Sequence, residues 1–400
     1  MLNIPGYIML EQFEPNQDTV LYRAKSLVNG HLFLLKVAKH GDTRGTEAAF
    51  FHELAVAGNL AVKGICRPLR VDFSGQIPFL VMENATGIPL SEFLDHHRPD
   101  LEHFFTIARQ LAATVKALHH HNVAHRRLNA VNIFVEPQML TVKITDFSAS
   151  APVLGDSLPQ KPVSWEGTAA YMSPEQTGRL NWPVDYRSDF YSLGVIFYEL
   201  LTGKLPFQAT GYSHWVHAHL AEKPQAPHKL NRAIPPALSN VILKLLAKDA
   251  SERYQDAAAL ETDLNRCFTE WQDSGKIQAF APAEKDISAI FQLSPRLYGR
   301  DKEAAALKRI YNQINKGKAG VVLVSGYAGS GKTALVYEFL KPLVRHGKGY
   351  FVSGKSDQLH YGKPYLSFIQ AFQELLQVIL AEDQGKLLQW RRILLQTLGT

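Results

Sequence analysis

A glycine-rich stretch in the last quarter of the 400-residue chain carries clear phosphate chemistry. Residues 326–333 have the sequence GYAGSGKT, between an apolar, β-branched run at 320–325 and a helical pattern that continues to Leu343. Glycines let backbone N–H groups converge on phosphate oxygens, Lys332 would neutralise the β and γ phosphates, and the Thr333 hydroxyl would reach Mg²⁺. The spacing predicts a strand, a phosphate loop and a helix that bind ATP and Mg²⁺. The other candidate contacts in the loop are Gly326, Gly329, Ser330 and Gly331.

The elements that precede this loop fall into two groups. Up to about residue 85, short β-type runs alternate with one helical stretch at 46–60. From 90 to 271 the pattern is mostly helical. Its clearest apolar stripe consists of Phe104, Ile107, Leu111, Val115 and Leu118. Turn-forming residues at 272–296 show little regular pattern and predict a linker, after which a new domain opens near Leu297.

Composition limits the class of protein. With 46% hydrophobic and 20% charged residues, the chain can form about two or three globular domains. The net charge of +6 comes from scattered lysine and arginine residues, which favours a solvated surface over a nucleic-acid groove. Cys66 and Cys267 lie far apart, which fits a reducing cytoplasm. We find no leader pattern and no apolar run of about 18 residues, so we expect a cytoplasmic protein without a membrane span.

The stretch at 123–133 has the sequence VAHRRLNAVNI, which aligns with the kinase catalytic loop H-R-D-L-x-x-x-N. His125, Arg126 and Asn132 are in register with that pattern. Arg127 stands where the pattern has its catalytic aspartate. Together with the residues on either side, this stretch resembles a protein kinase domain.

The resemblance implies a fold and a set of boundaries. We expect an α+β, bilobal, protein kinase-like domain at 7–271, with a small lobe at about 7–85 and a large lobe at about 86–271. The linker at 272–296 would join it to the start of an α/β P-loop NTPase domain of the AAA/STAND type at 297–400. The second domain would be incomplete.

In the small lobe, the resemblance assigns nucleotide contacts. Lys36 in the apolar segment LLKV is similar to the strand lysine of V-A-I-K, and Glu53 lies 53 − 36 = 17 residues later in the predicted helix, where it would pair with that lysine. Met82 would be the gatekeeper. Glu83 and Ala85 would offer backbone groups to an adenine.

In the large lobe, the resemblance assigns metal ligands and architecture. Asp146 in ITDFS is similar to the aspartate of D-F-G, and Asn132 to the catalytic-loop asparagine, so both would hold Mg²⁺ through oxygen. Asp189 would hold the backbone of the catalytic loop. Glu175 and Arg253 would form a structural ion pair.

Departures from the pattern predict impaired chemistry. Arg127 cannot accept a hydroxyl proton, which removes general-base assistance worth about 10²- to 10⁴-fold. Asn129 replaces the lysine that usually steadies the transferred phosphate. Glu14, Asn16 and Thr19 replace the three glycines of the phosphate-covering loop. Phosphotransfer is expected to be slow or nil.

The start of the second domain is similar to signal-transducing ATPases. Gly299, Arg300 and Glu303 match the G-R-x-x-E lead-in of AAA-type STAND proteins. The strand aspartate that such an ATPase needs has one nearby candidate, at 378–383, but the apolar residues there predict a helix that includes Ile369, Phe372, Leu376 and Ile379. The domain order resembles the N-terminal part of bacterial serine/threonine kinase, ATPase and histidine kinase hybrids, whose sensor and histidine-kinase domains would follow in a longer protein.

Three functions remain open on the sequence. The first is a kinase-like module that binds ATP or a protein partner weakly, transfers little phosphate and regulates the fused ATPase. The second is an active Ser/Thr kinase that phosphorylates protein hydroxyls. The third is an interaction scaffold with nucleotide binding only at the phosphate loop.

Overall fold

The computed structural model describes residues 4–13, 18–39, 43–153, 169–178, 184–284, 286, 299–314, 319–327, 330–332, 335–336, 352–354, 365–380, 390–392 and 395–396. The chain divides into two units, Met1–Ile287 and Ser288–Thr400. The division falls within the stretch that the sequence predicts to be a linker.

The small lobe of the first unit is an antiparallel sheet with strand order β1-β2-β3-β5-β4. Successive side chains of a strand point to opposite faces of the sheet, so every second residue of each strand faces the core. β3 and β5 are buried on both faces over most of their length, because α1 packs against one face and Ile4 and Tyr7 pack against the other. The elements are β1 Tyr7–Phe13, β2 Thr19–Ser26, β3 Leu32–Ala38, α1 Thr43–Ala57, β4 Pro68–Ser74 and β5 Ile77–Glu83.

The strand register and the position of the helix determine where the polar residues of this lobe lie. Lys36 on β3 lies between Leu21 of β2 and Leu80 of β5. The predicted helix is confirmed, but it begins and ends three residues earlier than the sequence pattern indicated. It ends before Gly58, whose N–H donates to the carbonyl of Leu54 at 2.9 Å, because glycine disfavours continuing the helix.

The large lobe is mostly helical, as predicted. Several short strands lie near the junction of the two lobes. β8 pairs with β6 on one side and β9 on the other, and β10 pairs with β7. The elements are β6 Ile88–Pro89, α2 Leu90–His96, α3 Leu101–His120, β7 Val123–Ala124, β8 Ile133–Val135, β9 Val142–Ile144, β10 Ala151–Pro152, α4 Arg187–Thr202, α5 Tyr212–Ala221, α6 Pro227–Leu230, α7 Pro236–Leu245 and α8 Ala257–Ser274. Single 3₁₀ turns lie at Phe147–Ala149, Ala169–Tyr171, Pro174–Thr177 and Ala250–Glu252.

Helix α3 is the centre of the large-lobe core. Asp100 caps its N-terminus by accepting from the backbone N–H of His103 at 2.9 Å. The helix packs against α4 and α8. The predicted apolar stripe is confirmed, since all five of its members are fully buried: Phe104, Ile107, Leu111, Val115 and Leu118.

Two helices of the second unit have defined bounds, α9 Asp301–Ile314 and α10 Leu366–Leu380, and helical residues are also described at 335–336 and 390–392. α10 confirms the predicted helix around Ile369. The predicted strand at 320–325 is wrong for the described residues, which have no strand partner, and Val321 is 94% exposed.

Across the described ranges, none of the helices combines the length and the apolar character needed to cross a lipid bilayer.

Candidate nucleotide site

A buried ion network lies between the two lobes. The ammonium of Lys36 donates to Glu53 Oε2 at 2.8 Å and to Asp146 Oδ1 at 2.6 Å. All three side chains are buried. Three different elements therefore meet at one cation: β3, α1 and the segment after β9.

The backbone around Asp146 fixes this arrangement. Asp146 has a φ of 66°, a left-handed conformation that aspartate tolerates better than most residues. The turn brings the N–H of Phe147 to Glu53 Oε1 at 3.0 Å. Glu53 thus binds the lysine with one oxygen and the backbone after Asp146 with the other. The expected pairing of Lys36 with Glu53 is present.

Arg127 points into the same network. Its Nη1 lies 3.5 Å from Asp146 Oδ2 and donates to Ser148 Oγ at 3.1 Å. Ser148 in turn donates to Asp146 Oδ1 at 2.6 Å. The Arg127 side chain is 21% exposed, so it is close to the surface end of the network. A guanidinium therefore contacts the carboxylate that the resemblance assigns to Mg²⁺.

Two asparagines shape the loop that carries Arg127. Asn129 Oδ1 accepts from the N–H groups of Val131 and Asn132 at 3.0 and 2.8 Å. Asn132 Nδ2 donates to the carbonyl of Arg127 at 3.1 Å and to Asp146 Oδ2 at 3.2 Å. Asn129 thus acts on the loop backbone, and Asn132 reaches Asp146 through its amide nitrogen.

Asp189 of α4 binds the backbone of the loop that carries Arg127, as the resemblance implies. It accepts from the backbone N–H groups of His125 at 2.9 Å and Arg126 at 2.6 Å. His119 also contacts Asp189, at 2.9 Å. Arg126 has a φ of 61° and donates through Nη2 to the carbonyl of Val184 at 2.8 Å. Arg126 and His125 therefore serve the architecture of the loop.

Electrostatics match this geometry. Burial opposes the charged form of Asp146, but Lys36 and Arg127 outweigh it and lower the pKa of this carboxyl well below its usual range. Burial likewise opposes the charge on Lys36, and Asp146 and Glu53 outweigh it and raise the pKa of the ammonium. His125 is fully buried, and desolvation lowers its pKa, which favours the neutral ring. Both shifts favour the charged forms of Asp146 and Lys36 at neutral pH.

The proposed adenine edge lies at the end of β5. Met82 and Ala85 are buried, and Glu83 pairs with Arg67 at 2.8 Å on the surface. The carbonyl of Ala85 accepts from Arg23 Nη2 at 2.9 Å. Sequence reasoning missed Arg23. The available signal was a charged residue two positions after Leu21, on the same face of β2 as that buried side chain.

In the second unit, the described part of the phosphate loop is held by its own lysine. Lys332 Nζ donates to the carbonyls of Gly326 at 2.8 Å and Tyr327 at 2.7 Å. Gly331 has a φ of 81°, which only glycine adopts readily. Arg300 donates to the carbonyl of Ser330 at 3.2 Å, so the G-R-x-x-E lead-in contacts the loop.

Two candidate contacts of this loop, Gly329 and Thr333, lie outside the described residues. The same holds for Glu14 and Asn16 in the small lobe, whereas Thr19 is buried at the start of β2. The polar residues of the small and large lobes come together at Asp146, and the residues predicted to form the phosphate loop belong to the second unit.

Comparisons with known proteins agree with the two-unit division. The protein kinase domain family matches residues 17–264, and the AAA ATPase domain family matches residues 296–400. Hybrid signal transduction histidine kinase G of Dictyostelium discoideum is 36% identical over 253 residues, which are 58% of this chain and 7% of that protein.

Bacterial serine/threonine-protein kinases are also similar. PknB of Mycolicibacterium smegmatis is 34% identical over 196 residues, 48% of this chain and 31% of its own length. PrkC of Bacillus subtilis is 27% identical over 252 residues, 62% of this chain and 38% of its own length. The chain thus spans well under two thirds of each of these relatives.

The kinase match covers more than half of the chain, and it coincides with the bilobal unit and its ion network. The chain belongs to the protein kinase domain family, and an AAA ATPase domain begins after its kinase domain.

Proposed function

We propose that the kinase domain is a regulatory module of a signal-transduction protein, that it transfers little or no phosphate, and that it regulates the fused P-loop ATPase. The observation that carries this proposal is the contact of Arg127 with Asp146, 3.5 Å between Nη1 and Oδ2. The module would extend over 7–271, with a linker at 272–296 and the ATPase domain from 297.

Arg127 supports this function in two ways. A guanidinium stays protonated at any physiological pH, so it cannot take the proton of a substrate hydroxyl. It also binds Asp146, the carboxylate that would otherwise be available to a metal ion. The loss of the base alone removes about 10²- to 10⁴-fold in rate.

The architecture that remains supports a binding or signalling role. Asp189 still holds the loop backbone, and Arg253 still forms a bidentate pair with Glu175 at 2.7 and 2.8 Å. These contacts maintain a fold without contributing to proton transfer. A module of this kind can present the same surface whether or not phosphate is transferred.

One observation favours the alternative of an active Ser/Thr kinase. Lys36 and Glu53 form the ion pair that phosphotransfer by this family requires, at 2.8 Å. The relatives in bacteria are named serine/threonine-protein kinases. The two functions predict opposite results in the same phosphotransfer assay.

We expect the chain to label itself or a protein substrate at least about 10²-fold more slowly than the rates of about 1–100 s⁻¹ typical of kinases. The measurement is transfer of radiolabelled γ-phosphate with Mg²⁺. Asp146→Asn is the matched control, because it removes the assigned metal ligand while keeping the size of the side chain. Labelling at ordinary rates that Asp146→Asn abolishes would establish the active kinase.

Regulation of the ATPase has its own test. Glu53→Gln weakens the bonds to Lys36 and to the N–H of Phe147 without touching the second unit. If the kinase module controls the phosphate loop, this change should alter the Lys332-dependent affinity for ATP by about fivefold or more, which is a coupling of ordinary size. Titration calorimetry on the parent, on Glu53→Gln and on each with Lys332→Ala measures it.

The control for this coupling is Glu270→Gln, which disturbs a largely exposed ion pair with Arg266 on the same unit. Equal Lys332-dependent affinities in the parent and in folded Glu53→Gln would remove the regulatory part of the proposal and leave the phosphotransfer part intact.

A further inference from the structure

The cleft between the lobes is filled by side chains of the chain itself. Met82 and Ala85, two of the residues assigned to an adenine by resemblance, lie within a buried apolar cluster that joins β1, β2, β3, β5 and the large-lobe strand β8. Every member is at most 9% exposed. The side chains that close the cleft are Phe13, Leu21, Leu34, Met82, Ala85 and Phe134.

Phe13 and Phe134 make the direct contact across the lobes. Their ring centroids are 5.2 Å apart and their planes are at 88°, an edge-to-face pair. Phe13 belongs to β1 above the cleft and Phe134 to β8 below it. Rings in contact leave no space between them for a purine. Leu34, two residues before Lys36 on the same face of β3, adds a branched side chain to this filling.

The polar edge of the cleft is also occupied. Arg23 donates to the carbonyls of Ala85, at 2.9 Å, and Gly87. Its guanidinium lies over the ring of Phe13, 5.3 Å from the centroid. The carbonyl of Glu83 is 2.6 Å from Cys66 Sγ. The carbonyls of Glu83 and Ala85 therefore already accept hydrogen bonds from side chains of the chain itself.

The phosphate end is neutral without a metal ion. Lys36 and Arg127 carry two positive charges, and Glu53 and Asp146 carry two negative charges, all joined by the contacts described above. With an aspartate at position 127, the group would have one positive and three negative charges. Its net charge would be −2, which one Mg²⁺ would balance. Replacing that aspartate by Arg127 changes the net charge by two units, from −2 to zero, so the group is balanced without a metal ion. Ser148 and Asn132 add hydrogen bonds to the same carboxylate.

These observations do not fit ATP and Mg²⁺ in this cleft. We propose that the interlobe cleft is a closed joint in which Phe13, Arg23 and Phe134 take the place of a purine and Arg127 takes the place of a divalent cation. The joint holds the two lobes in their assembled arrangement without any ligand, so nucleotide binding by this chain belongs to the phosphate loop alone. The inference deepens the proposed function, because a cleft that takes no nucleotide cannot transfer phosphate.

The test uses the full chain with Lys332→Ala, which silences the phosphate loop in the other unit. Ligands that bind only the folded state raise its melting temperature. We expect ATP with Mg²⁺, ATP alone and EDTA each to leave the melting temperature of the kinase unit unchanged. A saturable rise with ATP and Mg²⁺ that Lys36→Met abolishes would overturn the closed joint, and this result does not depend on any variant of Arg127.

A second measurement tests the charge argument. In the Lys332→Ala background, Arg127→Asp should make the melting temperature of the kinase unit rise with added Mg²⁺, whereas the parent should not respond. Arg127→Gln is the matched variant, because it removes the positive charge without adding a carboxylate, and it should respond less than Arg127→Asp. A Mg²⁺ response in the parent equal to that of Arg127→Asp would overturn the role assigned to Arg127.

The two proposals can fail separately. Nucleotide binding in the cleft without labelling of protein would refute the closed joint and leave the proposed absence of phosphotransfer standing. Labelling at ordinary kinase rates would refute both.

Discussion

Arg253→Met is expected to lower the free energy of unfolding of the kinase unit by about 3–5 kcal/mol. The guanidinium of Arg253 and the carboxylate of Glu175 are both buried, and they meet through two hydrogen bonds of 2.7 and 2.8 Å. Removing the arginine leaves Glu175 charged and buried without its partner. In the parent, burial opposes ionisation of Glu175, but Arg253 outweighs it and lowers the pKa of this carboxyl. The variant keeps the burial and loses the compensating charge.

Arg253 has further partners that make the loss larger. It donates to the carbonyls of Ala247 at 2.8 Å, Arg187 at 3.0 Å and Lys248 at 3.1 Å, which would lose a donor as well. Urea denaturation followed by circular dichroism measures the change.

The control is Arg266→Met, whose ion pair with Glu270 has a similar length of 2.9 Å but is 40% and 27% exposed. An exposed pair of this kind contributes about 0–1 kcal/mol. Similar losses in the two variants would contradict the importance of burial in this argument.

Gly87→Ala is expected to destabilise the kinase unit by about 2–6 kcal/mol, from strain and overpacking of about 1–3 kcal/mol each. Gly87 lies between β5 and β6 and has a φ of +85°. A β-carbon there would lie 2.0 Å from the carbonyl oxygen of Val135 and 2.4 Å from its carbon. Both are backbone atoms of β8, so no side chain can turn aside to relieve the clash.

Gly75→Ala separates backbone strain from overpacking as causes of the lost stability. Gly75 has a φ of +63°, but a β-carbon there meets nothing within 4 Å. It should therefore cost only the strain of a left-handed alanine, about 1–2 kcal/mol. Thermal or urea unfolding of both variants checks the difference, and a loss in Gly75→Ala as large as that in Gly87→Ala would exclude the clash as its cause.

Local patterns were enough to predict the large features of the kinase unit. The apolar spacing along α3 indicated which residues form its buried face, and the resemblance of the segment around Asp189 to the kinase family implied that Asp189 would hold the loop. The resemblance to protein kinases implied the pairing of Lys36 with Glu53. Each of these depends on a short segment or on a motif with a fixed partner.

The closure of the cleft could not be predicted in the same way. The contact of Phe13 with Phe134 joins residues 121 positions apart, since 134 − 13 = 121, and depends on how closely the lobes approach. Arg23 was recognisable only as a charge on an inward-facing position of β2. Residues 320–325 have the composition of a strand, but composition alone does not decide the backbone conformation, and these residues are not in a strand.

The distances along the chain between the partners of the ion pairs bear on how the kinase unit folds. Lys36 and Asp146 are 110 residues apart, and Glu175 and Arg253 are 78 apart. Loops of this length must lose entropy before their contacts can form, whereas neighbouring strands such as β2 and β3 pair after short turns. We therefore expect the hairpins and α3 to form early and the ion pairs late. Contacts that are absent from the folding transition state act mainly on the unfolding rate. Lys36 and Arg253 would then determine how long the folded kinase unit persists, and the hairpins how quickly it forms.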